Sequence, residues 1–190
     1  LGRDLAGTEV QSDSLLAGIT DGQKGTQPKL SPQEMEAALK ALEQRISEQR
    51  GKEQAAAAQK AAAAGSAYLA ENALAAGVKT TASGLQYKVV KEGTGRSPTA
   101  SDTVTVHYRG TLVDGTEFDS SYKRGQPATF PVSGVIPGWT EALQLMKEGA
   151  QWKLAIPANL AYGDRGPLAG QVLLFDVELI SAAPAAPAGK

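Results

Sequence analysis

The stretch VTVHYRGTLVDGTEFDSS, residues 104–121, decides the architecture of the second half of the chain. Its first part alternates apolar and polar side chains, with Val104, Val106 and Tyr108 on one side, which is typical of a strand with one buried face. Asp-Gly at positions 114–115 separates this run from the shorter TEFDSS, and that dipeptide favours a tight hairpin turn. The stretch therefore predicts two antiparallel strands, with Tyr108 on the inner face of the first.

Runs with the same alternation lie on both sides of the hairpin. Their apolar positions are Leu85, Tyr87 and Val89, then Trp152, Leu154 and Ile156, then Leu173, Phe175, Val177 and Leu179. One short helix is predicted from Thr140 to Lys147. Together these signals predict an α+β domain over residues 80–180, a mostly antiparallel sheet packed on a short helix. The segment SAAPAAPAGK, residues 181–190, has too little apolar surface to fold and is expected to be a disordered tail.

Residues 33–76 have the composition of a helix, because they contain no proline and are rich in Ala, Glu, Gln and Lys. Ser31, the proline after it and Glu34 form a capping box, which marks a helix start at residue 32. Gly77 is a natural C-terminal cap. A helix over residues 32–77 would be about 68 Å long, too long for the interior of a small domain. The helix is therefore predicted to be a solvated stalk or to pair with a partner.

The alternative to a stalk is a flexible linker, because the segment QAAAAQKAAAAG, residues 54–65, is of low complexity. Gly51 and Gly65 are the possible weak points of a helix here. High helix propensity and the capping box favour the stalk over the linker.

Residues 1–46 are predicted to be an all-α segment with apolar stripes but no core of its own. The apolar positions are Leu1, Leu5, Leu15, Leu16, Ile19, Met35, Leu39, Leu42 and Ile46. The last four follow spacings of four, three and four, which is typical of a coiled coil. A segment of this size would be only marginally stable by itself. A second copy is the simplest cover, so a symmetric homodimer through the N-terminal helices is predicted.

Several classes of chemistry lack the residues that they need. The chain has no cysteine and a single histidine, His107, so disulfides, thiolate catalysis and metal centres are not expected. A net charge of −1 gives no overall preference for nucleic acid. No apolar run approaches the roughly 20 residues of a membrane span. His107 falls on the strand face opposite Tyr108 and is expected to be an ordinary, partly solvated residue.

Four motifs occur in a specific order: VHYRGTLVDGTEFDSS (106–121), GVIPGWTEAL (134–143), IPANLAYG (156–163) and LLFDVELI (173–180). Together they resemble the signature of FKBP-type prolyl isomerases over roughly residues 80–180. The segments LGRDLAG (1–7) and LSPQEMEAALKALEQRI (30–46) resemble the dimerisation region of the macrophage infectivity potentiator-like subfamily. The resemblance implies a half-barrel sheet around a short helix, carried by a long helix in a V-shaped homodimer.

The resemblance also implies a pocket with aromatic walls. Trp139 is implied as its floor, beneath the proline ring of a substrate. The other implied wall residues are Tyr108, Phe118, Phe130 and Phe175.

Polar groups around this pocket follow from the same resemblance. Asp119 is implied as a pocket carboxylate paired with Arg124. The segment Val135-Ile136 is implied to bind a ligand carbonyl through the backbone N–H of Ile136. Tyr162 is implied as a hydroxyl donor to the substrate. The loop over residues 164–172 is shorter than is usual in the family, and Leu168 is expected to substitute for the missing apolar contact.

The implied activity is cis-trans isomerisation of X-Pro bonds in unfolded or partly folded proteins. Such a pocket needs no cofactor, metal or nucleophile, because a twisted amide has less charge separation and is favoured in an apolar site. Macrolides of the rapamycin type are implied as inhibitors. The alternative function is a holdase-type chaperone that binds clients in the cleft of the dimer.

The expected compartment is the periplasm, with the cytoplasm or an outer-membrane association as alternatives. The first residues are not a signal peptide and lack an initiator Met, so residues upstream are expected to have been removed.

Overall fold

The computed structural model describes residues 12–25 and 31–184. The chain divides into two compact units, Leu1–Ala56 and Ala57–Lys190. Leu1 and Leu5, which belong to the predicted dimerisation segment, and the side chain of Leu15 lie outside the described part of the chain. Within the described ranges, no helix is both long and apolar enough to cross a bilayer.

The first unit contains α1 (Ser12–Gln23) and the start of α2 (Pro32–Ala73). The capping box at the start of α2 is confirmed. The backbone N–H of Ser31 donates to Oε2 of Glu34 (2.8 Å), and the N–H of Glu34 donates to Oγ of Ser31 (3.3 Å). The backbone hydrogen bond from Ser31 also lowers the pKa of Glu34. Local sequence therefore sets this helix end.

Helix α2 runs without a break through Gly51 and Gly65, which contradicts the flexible-linker alternative. It ends at Ala73, before the predicted end at residue 77. The chain leaves the helix in a tight turn, because Leu74 and Ala75 donate to carbonyls only three residues back. Gly77 has a φ of +80°, which turns the chain towards the first strand.

The second unit is built on a seven-stranded antiparallel sheet. The strands are β1 (Val78–Thr80), β2 (Gln86–Lys91), β3 (Asp102–Leu112), β4 (Glu117–Ser120), β5 (Ala128–Pro131), β6 (Gln151–Ile156) and β7 (Leu173–Pro184). Their order is β1-β2-β6-β7-β3-β4, and β5 also pairs with β3. The predicted α+β class and the hairpin at positions 114–115 are confirmed.

The short helix of this unit is α3 (Pro137–Leu145), which begins three residues before the predicted Thr140. Proline at the first helical position favours this earlier start, because its missing N–H would be unpaired there in any case. Backbone N–H groups of Trp139 and Thr140 both donate to the carbonyl of Ile136. Trp139, Ala142 and Leu143 of the helix are buried against the sheet.

Strand β7 continues to Pro184 and thus extends into the segment 181–190 that was predicted to be disordered. Its last residues pair with the start of β3. Two long-range bonds hold them, since Ala182 donates to Oε1 of Glu148 (2.7 Å) and Arg96 donates to the Ala182 carbonyl (2.9 Å). Residues 185–190 lie outside the described residues.

The end of α2 packs on the sheet, so the second unit begins well before the predicted boundary at residue 80. Gln86 of β2 is only 5% exposed. Its Nε2 donates to the Leu69 carbonyl (2.9 Å), and its Oε1 accepts from Nδ2 of Asn72 (2.8 Å). The C-terminal part of α2 is therefore packed on the sheet of its own chain, which neither a solvated stalk nor pairing with a second molecule describes.

The outer face of β3 carries His107, which is partly buried. Its Nδ1 lies 2.9 Å from Oγ of Ser121, and its ring stacks on Tyr122 with centroids 4.6 Å apart. Ser121 is fully buried and also accepts a hydrogen bond from the Tyr108 backbone (2.8 Å). His107 is thus a partnered residue of the strand face opposite Tyr108, as its position in the alternation predicts.

Candidate active site

An aromatic cluster lies between the sheet and α3. Tyr108 comes from β3, Phe118 from β4, Phe130 from β5 and Phe175 from β7, while Trp139 comes from α3. Buried and less buried side chains alternate along β3 and β7, which places Tyr108 and Phe175 on the inner face of the sheet. The five residues predicted as walls and floor therefore come together, although they are far apart in sequence.

Trp139 stands at the centre of the cluster and is only 4% exposed. Its ring meets those of Tyr108 and Phe175 at centroid distances of 5.2 Å, with interplanar angles of 88° and 84°. Phe130 lies 6.2 Å away, again edge-on. Phe118 meets Phe175 at 5.6 Å and 87°. Edge-to-face contacts of this kind are favourable and fix ring orientation.

Gly110 is a contributor to this cluster that the sequence analysis missed. A Cβ at this position would lie 2.7 Å from Cζ of Phe118 and 2.8 Å from Cε1 of Phe175. Only glycine therefore lets the two phenylalanine rings approach the backbone of β3. The available signal was a glycine inside a strand pattern, which often marks a close approach by another group.

Three polar side chains form one network beside the rings. The Tyr108 hydroxyl donates to Oδ2 of Asp119, and Nη1 of Arg124 forms an ion pair with Oδ1 of Asp119. Nη2 of Arg124 also donates to the Tyr108 hydroxyl (2.7 Å), and its guanidinium carbon lies 5.4 Å from the Tyr108 ring centroid. The predicted pairing of Asp119 with Arg124 is present. The hydroxyl of Tyr108, which was predicted only as a wall, joins it.

These contacts set the ionisation of the network. Burial by itself would raise the pKa of Asp119, but the bonds from Tyr108 and Arg124 outweigh it, so this pKa lies below its ordinary value. Burial, together with the bond to Asp119, raises the pKa of Tyr108. Asp119 is thus a carboxylate and Tyr108 a neutral phenol at neutral pH. The carboxylate orients its neighbours and is a poor proton acceptor.

Val135 and Ile136 lie directly before α3 and pack against the core that contains the rings. The carbonyl of Ile136 accepts from the N–H groups of Trp139 and Thr140. Within residues 12–25 and 31–184, nothing accepts a hydrogen bond from the Ile136 N–H, and the same is true of the buried indole N–H of Trp139. The N–H of Ile136 beside the aromatic cluster is therefore unpaired, whereas the indole N–H of Trp139 is both unpaired and enclosed by the protein.

The loop between β6 and β7 holds the last two predicted site residues. Leu168 is partly buried and packs against the core cluster, and its role as the apolar contact of the short loop stays a prediction. Tyr162 is 48% exposed and, in the described part of the chain, its ring does not pair with any of the five rings. A bond from the Gly163 N–H to the Ala158 carbonyl (2.8 Å) closes the turn that carries Tyr162. The role of Tyr162 as a hydroxyl donor stays a prediction.

Two family models match consecutive parts of the chain. Residues 94–180 match the FKBP-type peptidyl-prolyl cis-trans isomerase domain, and residues 2–89 match the domain amino terminal to it.

Several curated proteins are similar to this chain. The chain is 46% identical to the FKBP-type peptidyl-prolyl cis-trans isomerase FkpA of Aeromonas hydrophila, over 92% of this chain and 66% of the relative. It is also 46% identical to the outer membrane protein MIP of Legionella longbeachae, over 95% of this chain and 79% of the relative. The crystal structure of FkpA from Escherichia coli matches with a TM-score of 0.85 at 43% identity, covering 98% of this chain and 89% of that one.

The chain belongs to the family of FKBP-type peptidyl-prolyl cis-trans isomerases. Within the family, its similarity to proteins named FkpA and Mip extends through the N-terminal domain as well as the isomerase domain. The chain spans between about two thirds and four fifths of the length of the two relatives described above.

Proposed function

We propose that the aromatic cluster around Trp139 is the site at which this chain isomerises X-Pro bonds of unfolded or partly folded proteins. The observation that carries the proposal is a cluster of five rings from four strands and one helix, in which three rings pack edge-on against the central indole of Trp139. Rotation about a peptide bond faces a barrier of about 18–20 kcal/mol that comes from amide resonance. An apolar cluster favours the twisted amide because its charge separation is smaller.

The roles of individual residues follow from their positions. Trp139, Phe118 and Phe175 hold the proline ring and exclude water from it. The N–H of Ile136 binds a carbonyl next to the X-Pro bond that rotates, since it has no acceptor within the described residues. Asp119 holds Tyr108 and Arg124 in place through its two oxygens. Every residue thus acts by binding and positioning, and none transfers a proton.

The test uses a short prolyl peptide and the full chain. Asp119→Asn removes the charge that holds Tyr108 and Arg124, and we expect kcat/KM to fall about tenfold, as for the loss of a hydrogen bond to a charged group. Asp176→Asn is the matched control, because its carboxylate is half-exposed and pairs with Lys153 (2.8 Å) on the outer face. It should change kcat/KM less than twofold. A folded chain that does not accelerate isomerisation sinks the proposal.

We propose that macrolides of the rapamycin type occupy the same cluster. Trp139 and the free N–H of Ile136 offer an apolar floor and a donor for a macrolide carbonyl. Tyr162→Phe should leave the fold intact and weaken inhibitor binding by about 0.5–1.5 kcal/mol, the net worth of one hydrogen bond. Equal affinity in the two proteins would remove Tyr162 from the site. Failure of the macrolide to compete with the prolyl peptide would place it elsewhere.

We also propose that the chain works as a homodimer on client proteins in the periplasm. Large apolar side chains of the first unit are exposed, with Leu16 at 62%, Ile19 at 55% and Leu39 at 62%. Such a stripe needs a cover, and a second copy supplies a matching one. The compartment is tested by fractionating cells that carry the full-length gene and by sequencing the N-terminus of the mature protein. Recovery of the chain in the cytoplasm would contradict a periplasmic site.

A further inference from the structure

Gly65 occupies an unusual place in α2. It follows four consecutive alanines, the best helix formers, in the segment AAAAGSA of residues 61–67. Glycine in a helix interior costs about 1 kcal/mol relative to alanine. Yet the helix continues through Gly65, and this glycine is the one buried residue of α2. Something other than helix propensity therefore accounts for this glycine.

The reason is a close approach by the loop between β6 and β7. A Cβ at residue 65 would lie 2.6 Å from Cγ2 of Val172 and 3.2 Å from its Cβ. Val172 is itself buried and is followed directly by β7. Either Val172 or the helix must therefore shift if residue 65 is larger than glycine, because a separation of 2.6 Å is too short for two carbon atoms that are not bonded.

The same loop meets the same helix face a second time. Gly170, with a φ of +70°, lies so close to α2 that a Cβ would be 3.3 Å from the Ala58 carbonyl oxygen. Residues 58 and 65 are two helical turns apart and so share a face. Leu69 lies one further turn along that face and accepts the bond from Gln86 of β2. The helix thus presents a continuous stripe to the isomerase fold.

This loop also borders the candidate active site. Leu168, four residues before Val172, packs on the core cluster that holds the aromatic rings. Phe175, a wall of the site, follows Val172 by three residues. Val172, which contacts Gly65, therefore lies in sequence between Leu168 and Phe175. A shift of Val172 would move the short piece of chain that carries both residues.

We propose that Gly65 is a positioning residue of the isomerase. By admitting Val172 against the helix, it sets where the loop 164–172 lies and hence how Leu168 packs on the core cluster that contains the aromatic rings. This inference rests on the proposed function, and it makes the helix a determinant of substrate affinity in addition to a connection.

The experiment compares two glycines of one helix in the full chain. Gly65→Ala places a methyl group against Val172, whereas a Cβ at Gly51 would meet nothing within 4 Å. Both changes raise helix propensity equally. We expect Gly65→Ala to raise KM for a prolyl peptide about threefold to tenfold with kcat changed less than twofold, as for a displaced binding contact. Gly51→Ala should leave both constants unchanged.

Rescue and a direct view of the loop complete the test. Val172→Ala removes the Cγ2 atom that the new methyl group would meet, so the variant with both changes should recover most of the affinity. Amide resonances of residues 164–172 should shift in Gly65→Ala and not in Gly51→Ala. If Gly65→Ala does not fold, Val172→Ala alone should still move the Leu168 resonance and raise KM.

Three outcomes overturn the proposal. They are a folded Gly65→Ala protein with unchanged KM, loop resonances that stay in place, and equal effects of the two glycine changes. The wild-type rate separates this failure from failure of the proposed function. A wild-type chain without isomerase activity refutes the function itself, whereas an active wild type with a silent Gly65→Ala variant refutes only the positioning role.

Discussion

Asp119 accepts hydrogen bonds from the cationic Arg124 and from the neutral Tyr108. These two partners together determine the ionisation state and the role of the carboxylate. Arg124 stabilises the carboxylate by its charge, while Tyr108 donates a neutral O–H and becomes harder to ionise in return. The hydrogen bonds from Arg124 and Tyr108 both oppose the desolvation penalty of partial burial, which alone would favour the protonated form of Asp119. The result is a fixed negative charge beside an apolar cluster, suited to holding donors in position and unsuited to general base catalysis.

The first prediction concerns pH. Because the pKa of Asp119 lies below its ordinary value of 3.8, the carboxylate stays ionised well below neutrality. We expect kcat/KM to be flat between about pH 5.5 and 8 in the full chain, since no other pocket residue titrates there by its ordinary pKa. The measurement is a pH series with a prolyl peptide. A limb in this range that disappears in Asp119→Asn would contradict positioning as its role.

At this same scale, the residues of the candidate site divide into those that sequence reveals and those that it does not. The aromatic walls were predicted because their motifs are specific and ring positions repeat within a family. Gly110 was not, since its reason is the approach of two rings from other strands. Ser121 was missed as well, because its bonds to His107 and Tyr108 arise only when β4 pairs with β3.

The start of α2 was predicted well, whereas the end of β7 was not. The start of α2 is set by Ser31 and Glu34 within one turn, so the sequence contains the whole cause. The end of β7 is set by Glu148 and Arg96, which lie far away in sequence. Ala-rich composition alone suggested a solvated stalk, because nothing local indicates that Gly65 meets Val172.

The side chain of Asp102 anchors the start of strand β3. It opens β3, is 5% exposed, and accepts bonds from the Thr99 N–H (2.8 Å) and from Arg96 (2.7 Å). These bonds, the Thr99 bond first, lower its pKa. A lowered folded-state pKa contributes stability above the unfolded value of about 3.9, and this contribution is lost as pH falls through the folded pKa.

We therefore predict that Asp102→Asn lowers the melting temperature at pH 7, and that the difference from wild type shrinks as pH falls below about 4. Thermal unfolding of both proteins from pH 7 to pH 2.5 measures this. Asp176→Asn serves as the control, because its ion pair is exposed. A difference that is constant over the whole range would show that the charge of Asp102 has no part in anchoring β3.

For the whole molecule, the boundary at residue 57 differs from the boundary near residue 80 that composition suggests. Composition changes where helix gives way to strand, whereas stability depends on what packs together. The bonds between Gln86 and the helix residues Leu69 and Asn72 join the two regions into one unit. A fragment that begins at residue 80 lacks these partners and β1.

We predict that a fragment of residues 57–184 is more stable than one of residues 80–184 by at least about 1–3 kcal/mol, the worth of two hydrogen bonds. Both should isomerise a short prolyl peptide, because the aromatic cluster lies within each. Urea unfolding gives the two free energies. Gln86→Ala in each fragment is the control, since it should cost more in the longer one. Equal stabilities would mean that the packing of α2 on the sheet contributes nothing.

The last prediction concerns the first unit. Its exposed apolar residues cannot be covered by so small a segment, so we expect the full chain to be a dimer and a chain lacking residues 1–56 to be a monomer. Sedimentation at micromolar concentration measures this for both. Leu39→Lys places a charge in the exposed stripe and should also weaken the dimer, whereas Gln44→Lys, at a polar position of the same helix, should not.

Activity measurements on the shortened chain separate the contribution of dimerisation from that of the aromatic cluster. The shortened chain keeps every residue of the aromatic cluster, so its kcat/KM on a short peptide should match that of the full chain. On a whole unfolded protein it should be slower, because two linked sites raise the effective concentration of one for a client held by the other. A monomeric full chain, or a shortened chain that remains dimeric, would refute assembly through this unit. Equal rates on the unfolded protein would leave the dimer without a part in client processing.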